Sequence, residues 1–592
     1  MQETLSHYFG YKSFRPGQEE IITKILNHQH TLGVLPTGGG KSICYQVPGL
    51  MQGGTTIVIS PLISLMKDQV DQLQAMGIQA AYLNSSLTHK QQKEIEEQIK
   101  RGAIQFLYVA PERFENTFFL NLLRKIEIPL IAFDEAHCIS KWGHDFRPSY
   151  QSVIQKVFTL PQNFTIVALT ATATAEVQQD IMSKLSIGQN DVVKTSTKRR
   201  NLIFKVNPTY QRQKFVVDYV ANHEGQAGII YCSTRKQVEE LHEALNSEKI
   251  KSTIYHAGLT NKERIEAQND FLYDRVEVVI ATNAFGMGID KSNVRYVIHY
   301  NMPGDLESYY QEAGRAGRDG LKSECILLFS ERDKGLHEYF ITVSQADDDY
   351  KDKMGEKLTK MIQYTKTKKC LEATIVHYFE PNENLEECNQ CSNCIQENKT
   401  YDMTREAKMI ISCIARMKQQ ENYSVIIQVL RGEVTDYIKH HHYNELTTHG
   451  LMKNYTTSEL SYLIDELRFK GYLNENDEIL MCDTSVKQLL NNHTKVYTTP
   501  FKQKTKEKVF INTVEGVDRA LYRELVDVRK QLSDKLGIAP VSIFSDYTLE
   551  EFAKRKPESK QEMIAIDGVG SYKLKHYCPK FIETIQSYKT RI

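Results

Sequence analysis

Nowhere in the 592 residues do about 18 uncharged apolar side chains run together, so no hydrophobic helix long enough to span a bilayer is expected. The N-terminus, MQETLSHYFGYKSFRPGQEE, lacks the basic start and apolar core of a secretory signal, and a cytoplasmic location is expected. Neither sign of charge is in excess: 74 basic side chains stand against 74 acidic ones. That balance excludes a global attraction to polyanions and leaves any nucleic-acid binding to local patches. No internal repeat and no long low-complexity segment is present, which sets repeat architectures aside. Tryptophan occurs once. Cysteine is odd in number at eleven, and seven are scattered singly (44, 138, 232, 325, 413, 482, 578), which suits a reducing compartment better than a disulfide framework.

What is there is enough chain for about four domains at ~150 residues each. From about 25 to 330, apolar runs alternate with amphipathic ones. TLGVLP, TTIVIS, IQFLYVAP, LIAFDEA and FTIVALTA read as buried parallel strands, as do AGIIYCS, STIYHA, VEVVIAT, VRYVIHY and ECILLFS after the basic stretch KTSTKRRN (194–201). Two doubly wound parallel-sheet domains are expected, 1–204 and 205–335. Helices then take over. TTSELSYLIDELRFKGYL (456–473) opens on a capping box, Thr456 with Glu459, and sets Leu460, Leu463, Ile464 and Leu467 on one face. GYLNENDEILM after it reads as a hairpin. The basic KVYTTPFKQKTKEK (495–508) reads as a linker, and a small helical unit fills 512–592.

LPTGGGKS (35–42) follows a strand and precedes a helix, although Leu35 sits where the usual first glycine would be. Glycines let backbone N–H groups face phosphate oxygens, Lys41 adds a point charge, and the Ser42 hydroxyl suits Mg²⁺; the plainer reading is a glycine-rich turn. Asp134 and Glu135 close the strand LIAFDEA at the sheet's carboxyl edge, where one carboxylate can hold Mg²⁺ and the other activate water; helix capping is the alternative. The negative charge of a transferring phosphoryl calls for an arginine from elsewhere. YYQEAGRAGRDG (309–320) offers Arg315 and Arg318, three apart and on one face if helical, unless they serve only surface salt bridges. Cys370, Cys388, Cys391 and Cys394 fit C-x17-C-x2-C-x2-C, an S₄ set for structural zinc, with an iron–sulfur cluster as rival.

Nine motifs resemble, in order, those of superfamily 2 helicases, and specifically the RecQ family of DNA helicases: FGYKSFRPGQEEII, LPTGGGKS, SPLISLMKDQ, VAPER, DEAH, ALTATAT, IIYCSTR, VIATNAFGMGID and YYQEAGRAGRDG. The resemblance implies two RecA-like domains, then a zinc-binding helical segment (336–402), a winged helix (403–495), a linker (496–511) and a helicase-and-RNase-D C-terminal (HRDC-like) domain (512–592). It implies ATP, Mg²⁺ and Zn²⁺ as cofactors. ATP would be held by Tyr11 and Arg15 stacking on adenine, Gln18 reading it, and Thr37, Gly38, Gly39, Gly40, Lys41 and Ser42 on the phosphates. Mg²⁺ would be held by Ser42 and Asp134. Glu135, His137 and Lys41, with Gln311, Arg315 and Arg318 from the second domain, would be catalytic, and Thr170 and Thr172 would link hydrolysis to DNA. The stretch after DEAH, CISKWGHDFRPSY, matches an aromatic-rich loop that senses single-stranded DNA. There Trp142 and Phe146 can stack on bases, each worth ~1–3 kcal/mol, while Lys141 and Arg147 can meet phosphates or the nucleotide site.

The helix KKCLEATIVHYFE departs from the family at Leu371 and Glu372, where basic residues are usual, which puts a DNA role for it in doubt. LRG (430–432) and ELTTHG (445–450) match the winged helix. In the C-terminal unit, IDGVGSYKLKHY (566–577), with Lys573 and Lys575, reads equally as a phosphate-facing glycine turn or a plain helix–turn–helix. The implied activity is 3′-to-5′ translocation on single-stranded DNA with duplex unwinding, in recombination, repair and the SOS response. The expected protein works as a monomer near the nucleoid, on single-stranded and duplex DNA, with a single-stranded-DNA-binding protein as partner. The rivals are an RNA helicase with the same motor and a nucleotide-gated DNA clamp that does not unwind.

Overall fold

A computed structural model describes the chain except residues 62, 85–86, 144–145, 210, 286–290, 384, 396–400, 419–420, 474–482, 492–493, 499–515 and 592. The first lobe is built on seven parallel strands: β1 (Thr31–Val34), β2 (Thr56–Ile59), β3 (Ala80–Leu83), β4 (Phe106–Val109), β5 (Leu130–Phe133), β6 (Thr165–Thr170) and β7 (Val192–Lys194), in the order β3-β4-β2-β5-β6-β1-β7. Alternate residues feed two cores. Ile57, Leu107 and Ile131 face one side of the sheet, and Val58, Tyr108 and Ala132 the other. Burial on both faces is why these segments read as unbroken apolar runs.

The second lobe has six parallel strands: β8 (Leu202–Pro208), β9 (Ala227–Tyr231), β10 (Ser252–Tyr255), β11 (Val278–Ala281), β12 (Val294–His299) and β13 (Ser323–Phe329), ordered β10-β11-β9-β12-β13-β8. All ten anticipated strands form, and β3, β7 and β8 are additional in the two lobes; a short antiparallel pair, Tyr401–Asp402 with Tyr497–Thr498, is additional further on and takes in the start of the stretch read as a linker. All three are outer strands, β3 and β7 at the two ends of the first sheet and β8 at an end of the second. β7 is only three residues long, which leaves little periodicity to read.

The helices that follow β1, flank the second sheet and build the later segments include α1 (Ile43–Gln52), α2 (Leu306–Ala313), α3 (Asp348–Lys366), α4 (Leu371–Phe379) and α5 (Thr457–Phe469). The capping box expected at the start of α5 is present, Thr456 Oγ1 accepting from Glu459 N at 3.2 Å and Glu459 Oε2 from Thr456 N at 2.7 Å. Leu460, Leu463, Ile464 and Leu467 are all buried in a core confined to the winged-helix region. The hairpin expected after α5 and most of the basic linker lie outside the described residues.

Among the described residues, the zinc-binding segment has no separate core. Leu358, Met361 and Tyr364 of α3, Leu371, Ile375 and Phe379 of α4, and Cys370 and Cys391 belong to the same cluster as Leu202, Ile229 and Val297 of the second sheet. The C-terminal helices do have their own core, around Phe544, Phe552 and Phe581. That domain docks back on the lobes: Gly568 N donates to Gly10 O at 3.1 Å, Tyr577 Oη to Ala75 O at 3.1 Å, and Tyr273 Oη to Gly537 O at 2.9 Å. Gly568 therefore spends its N–H on the first lobe instead of offering it to phosphate, and short helices Lys560–Ile564 and Ser571–His576 flank the turn, as in the plain helix–turn–helix reading. No helix among the described residues is long and apolar enough to cross a membrane.

Candidate active site between the lobes

The phosphate loop leaves the sheet one residue late. Leu35 N donates to Thr170 O at 3.0 Å, extending the β1–β6 ladder, so Leu35 is a buried strand-end residue and the turn begins after it. That accounts for a leucine at the customary glycine position. Gly38 and Gly40 take φ values of +74° and +75°, and Ser42 is the N-cap of α1, which aims the helix's positive end into the loop.

A cavity of about 590 Å³ opens there. From the first lobe it is lined by Tyr11, Arg15 and Gln18, by Thr37, Gly38, Gly40, Lys41 and Ser42, and by Asp134 and Glu135; from the second by Gln311, Arg315 and Arg318. Ser545, Thr548, Asp567 and Lys573 of the C-terminal domain complete its wall. Sequence reasoning did not anticipate that third contribution, because no motif marks the docking. Tyr11 is 40% exposed at the rim, a setting suited to stacking. Gln18 is buried, with Nε2 donating to Gly39 O and Gly40 O at 3.1 and 2.9 Å and Oε1 accepting from Arg15 N at 2.9 Å. Its amide braces the phosphate loop, so pairing with a base would require it to release these carbonyls.

Asp134 and Glu135 follow β5. Glu135 adopts the left-handed region at φ +48°, rare for a residue with a Cβ, and begins a short 3₁₀ turn without capping it through its side chain, so the helix-cap alternative fails. Asp134 Oδ1 accepts from Glu135 N at 3.0 Å. The two carboxylates are thereby adjacent but turned differently. His137 is buried behind them; its Nδ1 lies 3.4 Å from Glu135 Oε2 and 3.1 Å from Thr170 Oγ1, and Thr172 N donates to Thr170 Oγ1 at 3.3 Å. Hydrogen bonds join His137 to Thr170 and Thr172, with the Glu135 carboxylate in ion-pair range of the imidazole.

In the second lobe, α2 ends at Ala313, and Arg315 and Arg318 lie in the turns beyond it. The helical same-face arrangement expected for them is not what forms: the chain turns at Gly314, and the turns deliver both guanidiniums to the cavity. Arg315 is buried and bonded to the Tyr231 hydroxyl, which is no setting for a surface salt bridge. A Cβ on Gly314 would stand 1.8 Å from Thr37 Oγ1, so only glycine permits this approach of the second lobe to the phosphate loop. Arg199, within the basic stretch 194–201, spans the same gap. It donates to Thr37 O on one side and to Ala316 O and Gly317 O at 3.2 and 2.9 Å on the other. Burial pulls its guanidinium below the ordinary value. No spacing marked it.

Of the aromatic-rich loop, Lys141 is exposed, and Trp142, Phe146 and Arg147 are half-buried; His144 and Asp145 lie outside the described residues. Trp142 packs at the margin of the first-lobe core while the Lys353 ammonium sits 3.4 Å from its ring centroid, so core packing and an available ring are both partly realised. Arg147 Nη1 donates to Pro61 O at 2.7 Å and does not line the nucleotide cavity.

The four cysteine sulfurs lie within 4.8 Å of one another, with separations of 3.9 Å (370–391), 4.0 Å (388–394) and 3.5 Å (391–394). Thiolates ~2.3 Å from a tetrahedral zinc stand about 3.8 Å apart. The set fits one zinc ion, and an iron–sulfur cluster would hold its thiolates further apart. Leu371 N and Ala373 N donate to Cys391 and Cys370 Sγ, both at 3.4 Å. Leu371 is in the shared core and Glu372 Oε1 accepts from Arg199 N at 3.1 Å. The departure from basic residues on α4 thus has a structural cause: these two side chains face the protein.

Family models match the chain in order: DEAD/DEAH box helicase over 15–181, helicase conserved C-terminal domain over 211–320, RecQ zinc-binding over 331–395, RQC domain over 397–507 and HRDC domain over 518–585. The chain is 42% identical over 590 residues to the ATP-dependent DNA helicase RecQ of Bacillus subtilis, covering 99% of this chain and 98% of that one. It is 38% identical over 593 residues to the ATP-dependent DNA helicase RecQ of Haemophilus influenzae, covering 99% and 95%. A two-lobed nucleotide cleft, a four-cysteine centre and full-length relatives of one name agree, and the chain belongs to the RecQ family of ATP-dependent DNA helicases.

Proposed function

We propose that this chain moves 3′ to 5′ along single-stranded DNA and parts the duplex ahead of it, one ATP per closing and opening of the cleft. The observation that carries the reading is the composite cavity, in which Lys41, Asp134 and Glu135 of one lobe face Gln311, Arg315 and Arg318 of the other. Tyr11 and Arg15 stack on the adenine and Gln18 reads it, while Thr37, Gly38, Gly39, Gly40 and Lys41 hold the phosphates. Ser42 and Asp134 would hold Mg²⁺, which would supply charge neutralisation on the phosphates when bound. Glu135 takes the proton from the attacking water. His137 holds that carboxylate and relays its position to Thr170 and Thr172. Gln311, Arg315 and Arg318 answer the charge that builds on the phosphoryl oxygens. Trp142 and Phe146 stack on the strand, and Lys141 and Arg147 meet its phosphates. The same proposal includes a monomer acting near the nucleoid in recombination, repair and the SOS response, with a single-stranded-DNA-binding protein as partner.

ATP hydrolysis with and without single-stranded DNA tests this. Strong stimulation that disappears in Trp142→Ala is expected; equal stimulation in both proteins would remove the sensor role. Glu135→Gln should lower turnover about 10²–10⁴-fold and abolish unwinding while DNA is still bound. Unwinding of duplexes with a 3′ tail but not a 5′ tail is expected, and the reverse preference would overturn the polarity.

A further inference from the structure

Helix α3 stands between the working parts of the two lobes. Lys357 Nζ donates to Trp142 O at 3.2 Å and pairs with Glu307 Oε1 at 3.2 Å, the two side chains being 12% and 5% exposed. One turn earlier, Lys353 covers the Trp142 ring and pairs with Glu176. Glu307 lies in the first turn of α2, the helix that carries Gln311 into the nucleotide cavity and leads into Arg315. Burial raises the Glu307 carboxyl above its usual range, and Tyr378 bonds it as well. One helix therefore grips the ring and the backbone of Trp142, and through Lys357 it also grips the arginine-bearing arm of the other lobe.

A buried ammonium shared between a carbonyl and a carboxylate cannot lose one partner cheaply, so Trp142, Lys357 and Glu307 shift together. With the ring packed at the core margin, an incoming base and the Lys353 ammonium compete for what remains of it. We propose that Lys357 is a positioning residue for ATP hydrolysis, transmitting the occupancy of Trp142 to α2 and so to Gln311 and Arg315. The strand signal then reaches the γ-phosphate from the second lobe as well as through Glu135 and His137 of the first. This rests on the reading of Trp142 as the strand sensor.

Trp142 is the only tryptophan, so emission excited at the red edge, beyond tyrosine absorption, reports that ring alone. The zinc-loaded full chain, Lys357→Met and Lys353→Met are titrated with an oligothymidine while emission and ATP turnover are followed together. In Lys357→Met the emission change, the half-saturating oligonucleotide, the zinc content and the basal turnover are expected to match the unsubstituted protein. Its stimulated kcat should fall about tenfold with KM for ATP unchanged, and Lys357→Arg should recover part of it. Lys353→Met, at a side chain 29% exposed, gives a second reading that does not depend on the buried site. Loss of the competing cation should lower the half-saturating oligonucleotide about threefold. Full stimulation in Lys357→Met would overturn the proposal, as would emission change and stimulation disappearing together, or an unaltered titration in Lys353→Met. Emission of the unsubstituted protein that ignores the oligonucleotide would refute the sensor reading itself, and the proposal with it.

Discussion

Glu135 and Gly314 show how single residues set this site. The left-handed backbone at Glu135 turns its carboxylate away from that of Asp134, so two neighbouring acids can do different work. Gly314 matters for what it lacks. Because a methyl group there would collide with Thr37, Gly314→Ala should hold the lobes apart, and ATP turnover should fall at least tenfold with a smaller change in nucleotide affinity. Steady-state kcat alongside equilibrium binding of a nucleotide analogue separates the two; parallel losses would point to simple unfolding. The acids were legible in the sequence because strand, acid pair and sheet edge are consecutive in the chain. Arg199 and Lys357 were not, since each draws its meaning from groups on other elements far along the chain, Thr37 and Ala316 for Arg199 and Trp142 and Glu307 for Lys357.

Among the elements, the apolar runs declared their strands because both faces of each sheet are covered, whereas three of the four sheet-end strands, β3, β7 and β8, were missed and only β10 was read. Helix ends were equally uneven. Thr456 and Glu459 announced α5, whereas the end of α2 at Gly314 was masked by a sequence that could have continued as helix. The C-terminal domain's longest helix, Arg519–Leu536, depends on its N-cap: Asp518 Oδ1 accepts from Leu521 N at 3.2 Å and from Tyr588 Oη at 2.8 Å, and Oδ2 from Lys556 Nζ at 2.7 Å. The Lys556 bond leads the causes that hold its carboxyl down to about 2. An acid lowered by folding contributes stability above its unfolded pKa near 3.8 and loses it as pH falls toward 2. Asp518→Ala should therefore cost about 1 kcal/mol at neutral pH, and the difference from the unsubstituted protein should shrink between pH 4 and 2 in denaturant titrations. A difference that stays constant with pH would sink that account.

For the whole molecule, the sharing of cores decides what fails together. The zinc segment is continuous with the second lobe, so chelating the metal should lower the melting temperature of the second lobe and abolish DNA-stimulated turnover. The winged-helix and C-terminal regions, with cores of their own, should keep their transitions. Scanning calorimetry with and without chelator distinguishes this from a zinc segment that melts alone. The nucleotide cavity is likewise a property of the assembled chain, since its walls come from two lobes and the docked C-terminal domain.

By itself the sequence determined the two parallel sheets, the phosphate loop, the acid pair, the capping box and the cysteine quartet. Each rests on period, on adjacency or on ligand spacing, which are local quantities that a chain carries before it folds. Tertiary structure alone decided that Leu35 is a strand end, that Arg199 and Lys357 bridge the lobes, and that the C-terminal domain walls the cleft. Those facts depend on which surfaces meet, and a buried charge acquires its partner only when distant segments have excluded water from between them.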